Sequence, residues 1–198
     1  MTRLVGVLLA AGRGTRFDPG GTTLKLLAPA ARGPHAGQPL AVAAARSVRP
    51  AVDALVAVVA PATEASQREL HEHLVREGCT LVVNPRWSEG QSTSLVAGIT
   101  ASEDADGWIV ALADMPAIAV ETVRTVAQAL RRGAVTVAPQ YRGRRGHPVG
   151  FAQMLRPDLL ALTGDTGGRA ILERVAPRLI EVEDAGVLYD VDTRKDLA

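Results

Sequence analysis

Short apolar runs separated by longer mixed segments restrict the fold of this sequence more than any other feature. The runs are continuously apolar rather than alternating, which is typical of strands that are buried on both faces of a sheet. We assign strands to Leu4–Ala10, Ala54–Val59, Thr80–Val83, Trp108–Leu112 and Val135–Pro139. Because helix-length segments lie between them, the sequence predicts a three-layer α/β fold with a mostly parallel central sheet and helices on both faces.

Capping and terminating residues set the expected helix limits. We expect helices over Leu40–Val48, from a Thr63 cap to Arg76, from Ser92 or Thr93 to Ala101, and from about Val120 to Arg132. In the C-terminal part we expect short helices on both sides of residues 164–169, strands at Ile180–Val182 and Leu188–Val191, and a last turn capped by Asp192 or Thr193. The segment 11–38 is rich in Gly, Pro, Thr and Arg and is expected to be a loop. With no internal repeat, we expect one domain over residues 1–198.

Composition excludes several classes of partner. The formal net charge is +1 and aromatic residues make up 3% of the chain, which argues against nucleic acid as a ligand. Cys79 is the only cysteine, so the chain can form neither an internal disulfide nor a thiolate metal cluster. No apolar run is long enough to span a bilayer, and the run after Arg3 is short for a signal peptide. We therefore expect a cytoplasmic protein without membrane contact.

Three polar or glycine-rich segments follow strands and predict a ligand site. They are residues 9–14 (LAAGRG), 84–90 (NPRWSEG) and 113–116 (ADMP). Ligands of open α/β sheets bind at the carboxyl ends of the strands. Backbone N–H groups beside Gly12 and Gly14, with Arg13, Arg16 and Lys25 nearby, suit a triphosphate or pyrophosphate, although an ordinary solvated turn has the same composition. Lys25 is notable because Lys195 is the only other lysine.

Two common phosphate-binding motifs do not fit this loop. A P-loop requires a Gly-Lys pair that is missing here. A dinucleotide fingerprint requires a third glycine where Phe17 stands, and an acidic residue that the second strand lacks at its end. A dinucleotide-dependent oxidoreductase is therefore disfavoured.

The ordered motifs resemble the molybdenum cofactor cytidylyltransferase group of nucleotidyltransferases, which has a nucleotide-diphospho-sugar transferase-like (glycosyltransferase-A-like) fold. The resemblance rests on residues 9–17 with 25–27, 84–87 with Gly90 and 94–95, 113–116, 145–149, 164–165 with 168–169, and 190–193. Together these motifs extend over nearly the whole chain in the family's order. The chain departs from the family pattern at Gly14 and Phe17, and its segment 18–24 (DPGGTTL) is longer.

The resemblance implies a role for each matched residue. The residues that would bind the nucleotide are Leu9, Ala10, Ala11, Gly12, Arg13, Gly14, Lys25, Gly90 and Ser94. Arg16, Lys25 and Asp114 would be catalytic, and Asp114 with Asp190 would bind Mg²⁺, Asp192 being the alternative second ligand or a supporting residue. The acceptor would be bound by His147, Gly168 and Arg169. The basic turn at Arg142, Arg144 and Arg145 fits a solvated hairpin and an acceptor contact equally well.

The resemblance favours transfer of CMP from CTP to a molybdopterin-type acceptor, with release of pyrophosphate. The alternatives are guanylyl transfer from GTP to the molybdenum cofactor, and a non-catalytic cofactor chaperone that delivers to a molybdoenzyme. His71 and His73 are two residues apart on a helix and therefore do not share a face, so we expect an exposed helix surface rather than a metal site.

Overall fold

The computed structural model describes residues 2–12, 14–18, 20 and 23–197. Within them the strands are β1 (Leu4–Ala10), β2 (Ala54–Val59), β3 (Thr80–Val83), β4 (Gly107–Leu112), β5 (Thr136–Tyr141), β6 (Arg144–Arg145), β7 (Val149–Ala152) and β8 (Arg178–Glu181). The α-helices are α1 (Leu40–Val48), α2 (Ala65–Arg76), α3 (Gln91–Thr100), α4 (Val120–Arg131), α5 (Arg156–Leu160) and α6 (Arg169–Arg174). Among the 3₁₀ helices are Lys25–Leu27, Trp87–Glu89, Ala185–Leu188 and Arg194–Leu197.

One mixed sheet with a parallel half organises the molecule. Its order is β3-β2-β1-β4-β7-β5-β6, and β8 also pairs with β5. Strands β1 to β4 are mutually parallel, whereas β7 runs antiparallel to both β4 and β5. Ala10 is in register with Val59, and Leu9 with Leu112, so the carboxyl ends of the parallel strands meet at one edge. The predicted α/β fold with a mostly parallel sheet is confirmed.

Alternate residues of the central strands enter two different cores. Leu4 and Leu8 of β1 pack into a cluster with α1, α2 and α4, whereas Val5 and Val7 pack into a second cluster with α3, α5 and α6. Trp108, with 0% exposure, belongs to the second cluster, where its indole Nε1 donates a hydrogen bond to Ser102 Oγ at 2.9 Å. The helices therefore form two outer layers around the sheet, as predicted.

A third, small cluster lies beneath the loop that follows β1. Phe17 is 4% exposed and packs with Ala28, Ala30, Leu40, Ala43 and Val191. Phe17 thus anchors the loop to this cluster.

Two predictions for the C-terminal segment are wrong. No described residue of the expected strand Leu188–Val191 pairs in the sheet: Asp184 Oδ1 accepts from Gly186 N at 2.9 Å and starts a 3₁₀ helix instead. Asp192 and Thr193 do not cap the last turn with their own carboxylate or hydroxyl. Asp196 Oδ2 accepts the backbone N–H groups of both residues, at 3.1 and 2.6 Å.

Helix starts also differ from the prediction by one or two residues. α2 begins after Glu64 rather than Thr63, because Gln67 Oε1 accepts from the backbone nitrogens of both residues, at 3.0 and 2.8 Å. α3 begins at Gln91 rather than at Ser92 or Thr93, directly after the left-handed Gly90. Through the part of the chain that the structure describes, no helix combines the length and apolarity needed to cross a membrane.

Candidate active site

Two neighbouring cavities open at the carboxyl edge of the parallel strands. The first cavity, of about 440 Å³, is lined by Ala11, Gly12, Trp87, Ser88, Glu89, Gly90, Gln91, Ser94 and Asp165. The second cavity, of about 260 Å³, is lined by Gln91, Val110, Arg145, Gly146, His147, Val149, Phe151, Thr166, Gly168, Arg169 and Leu172. Gln91 lines both, so two ligands bound there would lie side by side.

The end of β1 forms one wall of the first cavity. No atom lies within 4 Å of the position where a Cβ on Gly12 would stand, so a ligand can approach the backbone closely there. A smaller cavity of about 60 Å³ adjoins it, lined in part by Ala10, Trp87 and His71. His71 is half-buried and its Nε2 lies 3.0 Å from Ala60 O, so the expected exposed helix surface is wrong at this residue. The helix turns this imidazole inward toward the loop after β1.

Asn84 fixes the segment that follows β3. It is 3% exposed, and its Nδ2 donates to Thr93 Oγ1 at 2.9 Å and to Ser94 Oγ at 3.1 Å. Its Oδ1 accepts from Arg86 N at 2.9 Å. A single buried amide therefore ties the turn carrying Trp87 to the first turns of α3, and places Ser94 at the first cavity.

A glycine-rich loop, residues 163–167, closes over the start of α3. Gly90 has φ +118°, and a Cβ on it would lie 2.5 Å from Gly164 O. Asp165 Oδ1 accepts from Gln91 N at 2.9 Å, and Ser92 Oγ accepts from Gly167 N at 3.2 Å. The loop satisfies donors at the helix terminus and separates the two cavities, since Asp165 lines the first and Thr166 the second.

The buried cation of the site is already paired. Lys25 is 8% exposed, and its Nζ lies 2.7 Å from Asp114 Oδ2, just beyond the end of β4. The backbone of Gly14, with φ +62°, lies so close to Lys25 that a Cβ on the glycine would be 3.1 Å from Lys25 Cβ. A side chain at residue 14 would be strained and would crowd the lysine, which explains the glycine there.

Carboxylates gather beside this ion pair. Burial, followed by the neighbouring carboxylates of Asp192 and Asp114, raises the pKa of Asp190. Asp192 Oδ2 lies 2.7 Å from Arg16 Nη1. Among the described residues no group of three or more His, Cys, Asp and Glu could hold a metal unaided. The carboxylates of Asp114 and Asp190 nevertheless fit Mg²⁺, which usually takes one or two carboxylates and completes its shell with phosphate oxygens and water.

The second cavity combines an apolar wall with cationic groups. Phe151, Val149 and Leu172 supply apolar surface, and Arg145 and Arg169 supply positive charge. The buried Nδ1 of His147 has no hydrogen-bond partner among the described residues. Burial lowers the pKa of His147 to about 4, against the opposing effect of Asp114, so the imidazole is neutral near pH 7. Such a cavity suits a ligand with both an apolar ring and an anionic group.

Seven of the predicted site residues line the two cavities. Ala11, Gly12, Gly90 and Ser94 line the first cavity, and His147, Gly168 and Arg169 line the second. Leu9 packs against the second core cluster and lines neither cavity, and Arg13 lies outside the described residues. Of the basic turn, Arg145 reaches the second cavity, whereas Arg142 stacks on Tyr141 at 5.1 Å.

Trp87, Asp165 and Gln91 are among the cavity residues that were not predicted as site residues. Trp87 and Asp165 stand inside motifs that carry the family resemblance, so the sequence did contain a signal for them. Gln91 had no such signal, because its place between the cavities depends on the loop 163–167, which is distant in sequence.

A glycine-lined cavity beside a second, cationic one suits a reaction between a nucleotide and another anionic substrate. Comparison with known proteins agrees, and this chain is a nucleotidyltransferase. More particularly, it belongs to the family of MobA-like NTP transferase domains, whose model matches residues 6–179.

Individual relatives cover much of the chain. It is 32% identical to nicotine blue oxidoreductase of Paenarthrobacter nicotinovorans, over 96% of this chain and 92% of that protein. It is 26% identical to molybdenum cofactor cytidylyltransferase of Escherichia coli K12, over 65% of this chain and 66% of that protein. Rv0371c from Mycobacterium tuberculosis H37Rv, solved in complex with manganese, superposes with a TM-score of 0.74 at 25% identity, covering 98% of this chain and 96% of that one.

Proposed function

We propose that this enzyme transfers CMP from CTP to a phosphorylated, molybdopterin-type acceptor and releases pyrophosphate. The observation that carries the proposal is the pair of adjacent cavities sharing Gln91. The first, beside Gly12, would hold the nucleotide, and the second, beside His147, would hold the acceptor. This arrangement supplies proximity, which accounts for much of the catalysis of a group transfer.

The loop after β1 would bind the triphosphate. Backbone N–H groups near Gly12 and Gly14 would face its oxygens, and Lys25, with Arg16 and Arg13, would offset the charge that develops on the leaving pyrophosphate. Asp114 and Asp190 would hold Mg²⁺, which when bound would neutralise phosphate oxygens. The manganese complex of the mycobacterial relative supports a divalent cation as the metal.

The acceptor phosphate would attack the α-phosphorus of the nucleotide directly. A phosphate monoester is largely ionised near pH 7, so no general base is needed. Arg145 and Arg169 would bind the acceptor's anionic groups, and Gly168 lets the backbone pack against Phe151, where a Cβ would lie 2.9 Å from the ring. Neutral His147 would hydrogen-bond the acceptor ring.

The name of the Escherichia coli relative supports CTP and a molybdenum-containing product. GTP in place of CTP, and a chaperone that only carries the cofactor to a molybdoenzyme, are the alternatives. We place the reaction in the cytoplasm, where the lone Cys79 would stay reduced. The relative from Paenarthrobacter is named nicotine blue oxidoreductase, which makes oxidoreduction of a compound of that kind a second candidate.

Pyrophosphate release tests the proposal. The protein is incubated with molybdopterin, Mg²⁺ and each of the four nucleoside triphosphates in turn, and we expect release with CTP. Pyrophosphate release with GTP alone would assign GTP rather than CTP as the substrate. Release with none of the four nucleotides would contradict the transferase proposal for this acceptor. Oxidation of a nicotinamide cofactor without pyrophosphate release would favour the second candidate.

The two lysines of the chain provide a matched pair of variants. Lys25→Met removes the cation paired with Asp114 and should lower the rate of transfer by about 10² to 10³. Lys195→Met removes the same group from an exposed position and should leave the rate unchanged. Equal effects of the two substitutions would contradict the role of Lys25.

A further inference from the structure

We infer that residues Val191–Arg194, here called the C-terminal latch, position the loop that carries Arg16 and Lys25. Arg194 is the principal positioning residue of this latch. Its predicted effect on the nucleotide rests on the proposed function, whereas its effect on the loop does not.

The latch is itself held in place at both ends. Val191 is 0% exposed in the same cluster as Phe17, and its N–H donates to Asp114 O at 3.0 Å. At the other end, Asp196 Oδ2 accepts from the backbone nitrogens of Asp192 and Thr193. The latch is therefore fixed to the end of β4 and can serve as an anchor for the loop after β1.

Arg194 joins the two ends of a turn within the loop. Asp18 Oδ2 accepts from Thr23 N at 2.7 Å, which closes the turn. Arg194 Nη2 donates to Thr23 Oγ1 at 3.1 Å and lies 3.8 Å from Asp18 Oδ2. Its guanidinium also lies 5.3 Å from the centre of the Phe17 ring, within the range of a cation–π contact.

A second contact orients Arg16, a cation of the loop that is largely exposed to solvent. The side chain of Arg16 is 75% exposed, and Asp192 is its ion-pair partner at 2.7 Å. The latch thus contacts Arg16 before the turn and Asp18 and Thr23 at its two ends, and Lys25 lies two residues after the turn. Arg194 therefore contacts the described residues Asp18 and Thr23 of the segment that departs from the family pattern.

The exposure of Arg194 determines whether its contacts stabilise the whole protein or only order the loop. The side chain of Arg194 is 62% exposed, and exposed ion pairs add little to the stability of a protein. Ordering a loop before a ligand arrives, however, removes an entropic cost from binding. The latch should therefore act on nucleotide affinity and on local opening of the loop rather than on the melting temperature.

The test uses Arg194→Ala, with Arg124→Ala as the control because Arg124 forms a comparable exposed ion pair with Glu121 on α4. Without any nucleotide, we expect amide hydrogen exchange in the peptide 14–25 to become about fivefold faster in Arg194→Ala, the change expected from losing one exposed charged contact. With nucleotide, we expect its KM to rise by about the same factor while kcat stays within about twofold. The control should change neither quantity.

The two readouts separate the inference from the proposed function. Unchanged exchange in Arg194→Ala, or equal acceleration in Arg124→Ala, would overturn the latch whatever the enzyme does. Faster exchange with an unaltered nucleotide KM would overturn its role in positioning for the reaction. A wild-type protein that turns over no nucleotide would contradict the proposed function alone, and the exchange result would still decide on the latch.

Discussion

At the scale of single residues, His147 shows how burial sets the chemistry of a side chain. Its ring lies in the second cavity with the Nδ1 atom buried, and burial lowers its pKa from 6.5 to about 4. The folded protein therefore resists protonation of this imidazole. A neutral ring can both donate and accept hydrogen bonds, which a protonated one cannot.

The first prediction concerns stability in acid. An unfolded His147 takes up a proton below about pH 6.5, whereas the folded one does so only near pH 4, so stability falls as the pH drops between these values. The contribution reaches about 3 kcal/mol at most. His147→Gln should show a shallower loss of unfolding free energy between about pH 7 and about pH 5, measured in urea. Parallel pH profiles for the two proteins would contradict the assignment.

At the scale of elements, the start of α3 depends on one glycine. Gly90 has a left-handed φ of +118° and packs directly against Gly164 O, so the helix and the loop 163–167 meet without any side chain between them. Gly133, after α4, has φ +90° with no atom near its Cβ position. A side chain at Gly133 would therefore meet backbone strain alone, whereas a side chain at Gly90 would also meet a steric clash.

The second prediction compares alanine at these positions. Gly133→Ala should cost about 1 kcal/mol, the strain of a left-handed alanine. Gly90→Ala adds a clash with the backbone of residue 164 and should cost about 2–4 kcal/mol in unfolding free energy. Gly90→Ala should also raise the KM for the nucleotide, because Gly90 lines the first cavity and the clash would displace this wall. Equal losses of stability for the two variants would show that the loop 163–167 shifts to relieve the clash without a cost in free energy.

The same elements indicate what the sequence can and cannot predict. The limits of β1, β2 and β3 and of α1 are correct because buried strands and a proline-terminated helix have strong local signals. The strand at 188–191 is wrong because its apolar residues pack under the loop after β1 instead of pairing in the sheet. The position of Gln91 between two cavities, and the contacts of Arg194, depend on segments that are distant in sequence and have no local pattern.

At the scale of the whole molecule, Cys79 reports on the integrity of the fold. It lies between α2 and β3 in the first core cluster and is 6% exposed. Burial raises the pKa of its thiol to about 12, and Glu77 adds to the effect while Arg49 opposes it. Since the thiolate is the reactive form, the folded protein holds this cysteine in an inert state.

The third prediction follows from that burial. A thiol reagent such as DTNB should modify the native protein at least about 10³-fold more slowly than the protein unfolded in urea, because reaction requires an opening of the core. The rate should rise with urea in parallel with the unfolded fraction measured by circular dichroism. Fast labelling of the native protein, with unchanged circular dichroism, would place Cys79 in a locally mobile region instead.

The pairing of Lys25 with Asp114 and of Arg16 with Asp192 has a consequence for how substrate enters. Two cations of the resting site already face two of its carboxylates, so these four charges are neutralised in pairs. A lone metal ion would have to displace a lysine or arginine, and a lone triphosphate would have to displace an aspartate. A preformed metal–nucleotide complex brings both signs of charge at once and can exchange partners with both pairs, so we expect it to be the species that this site admits.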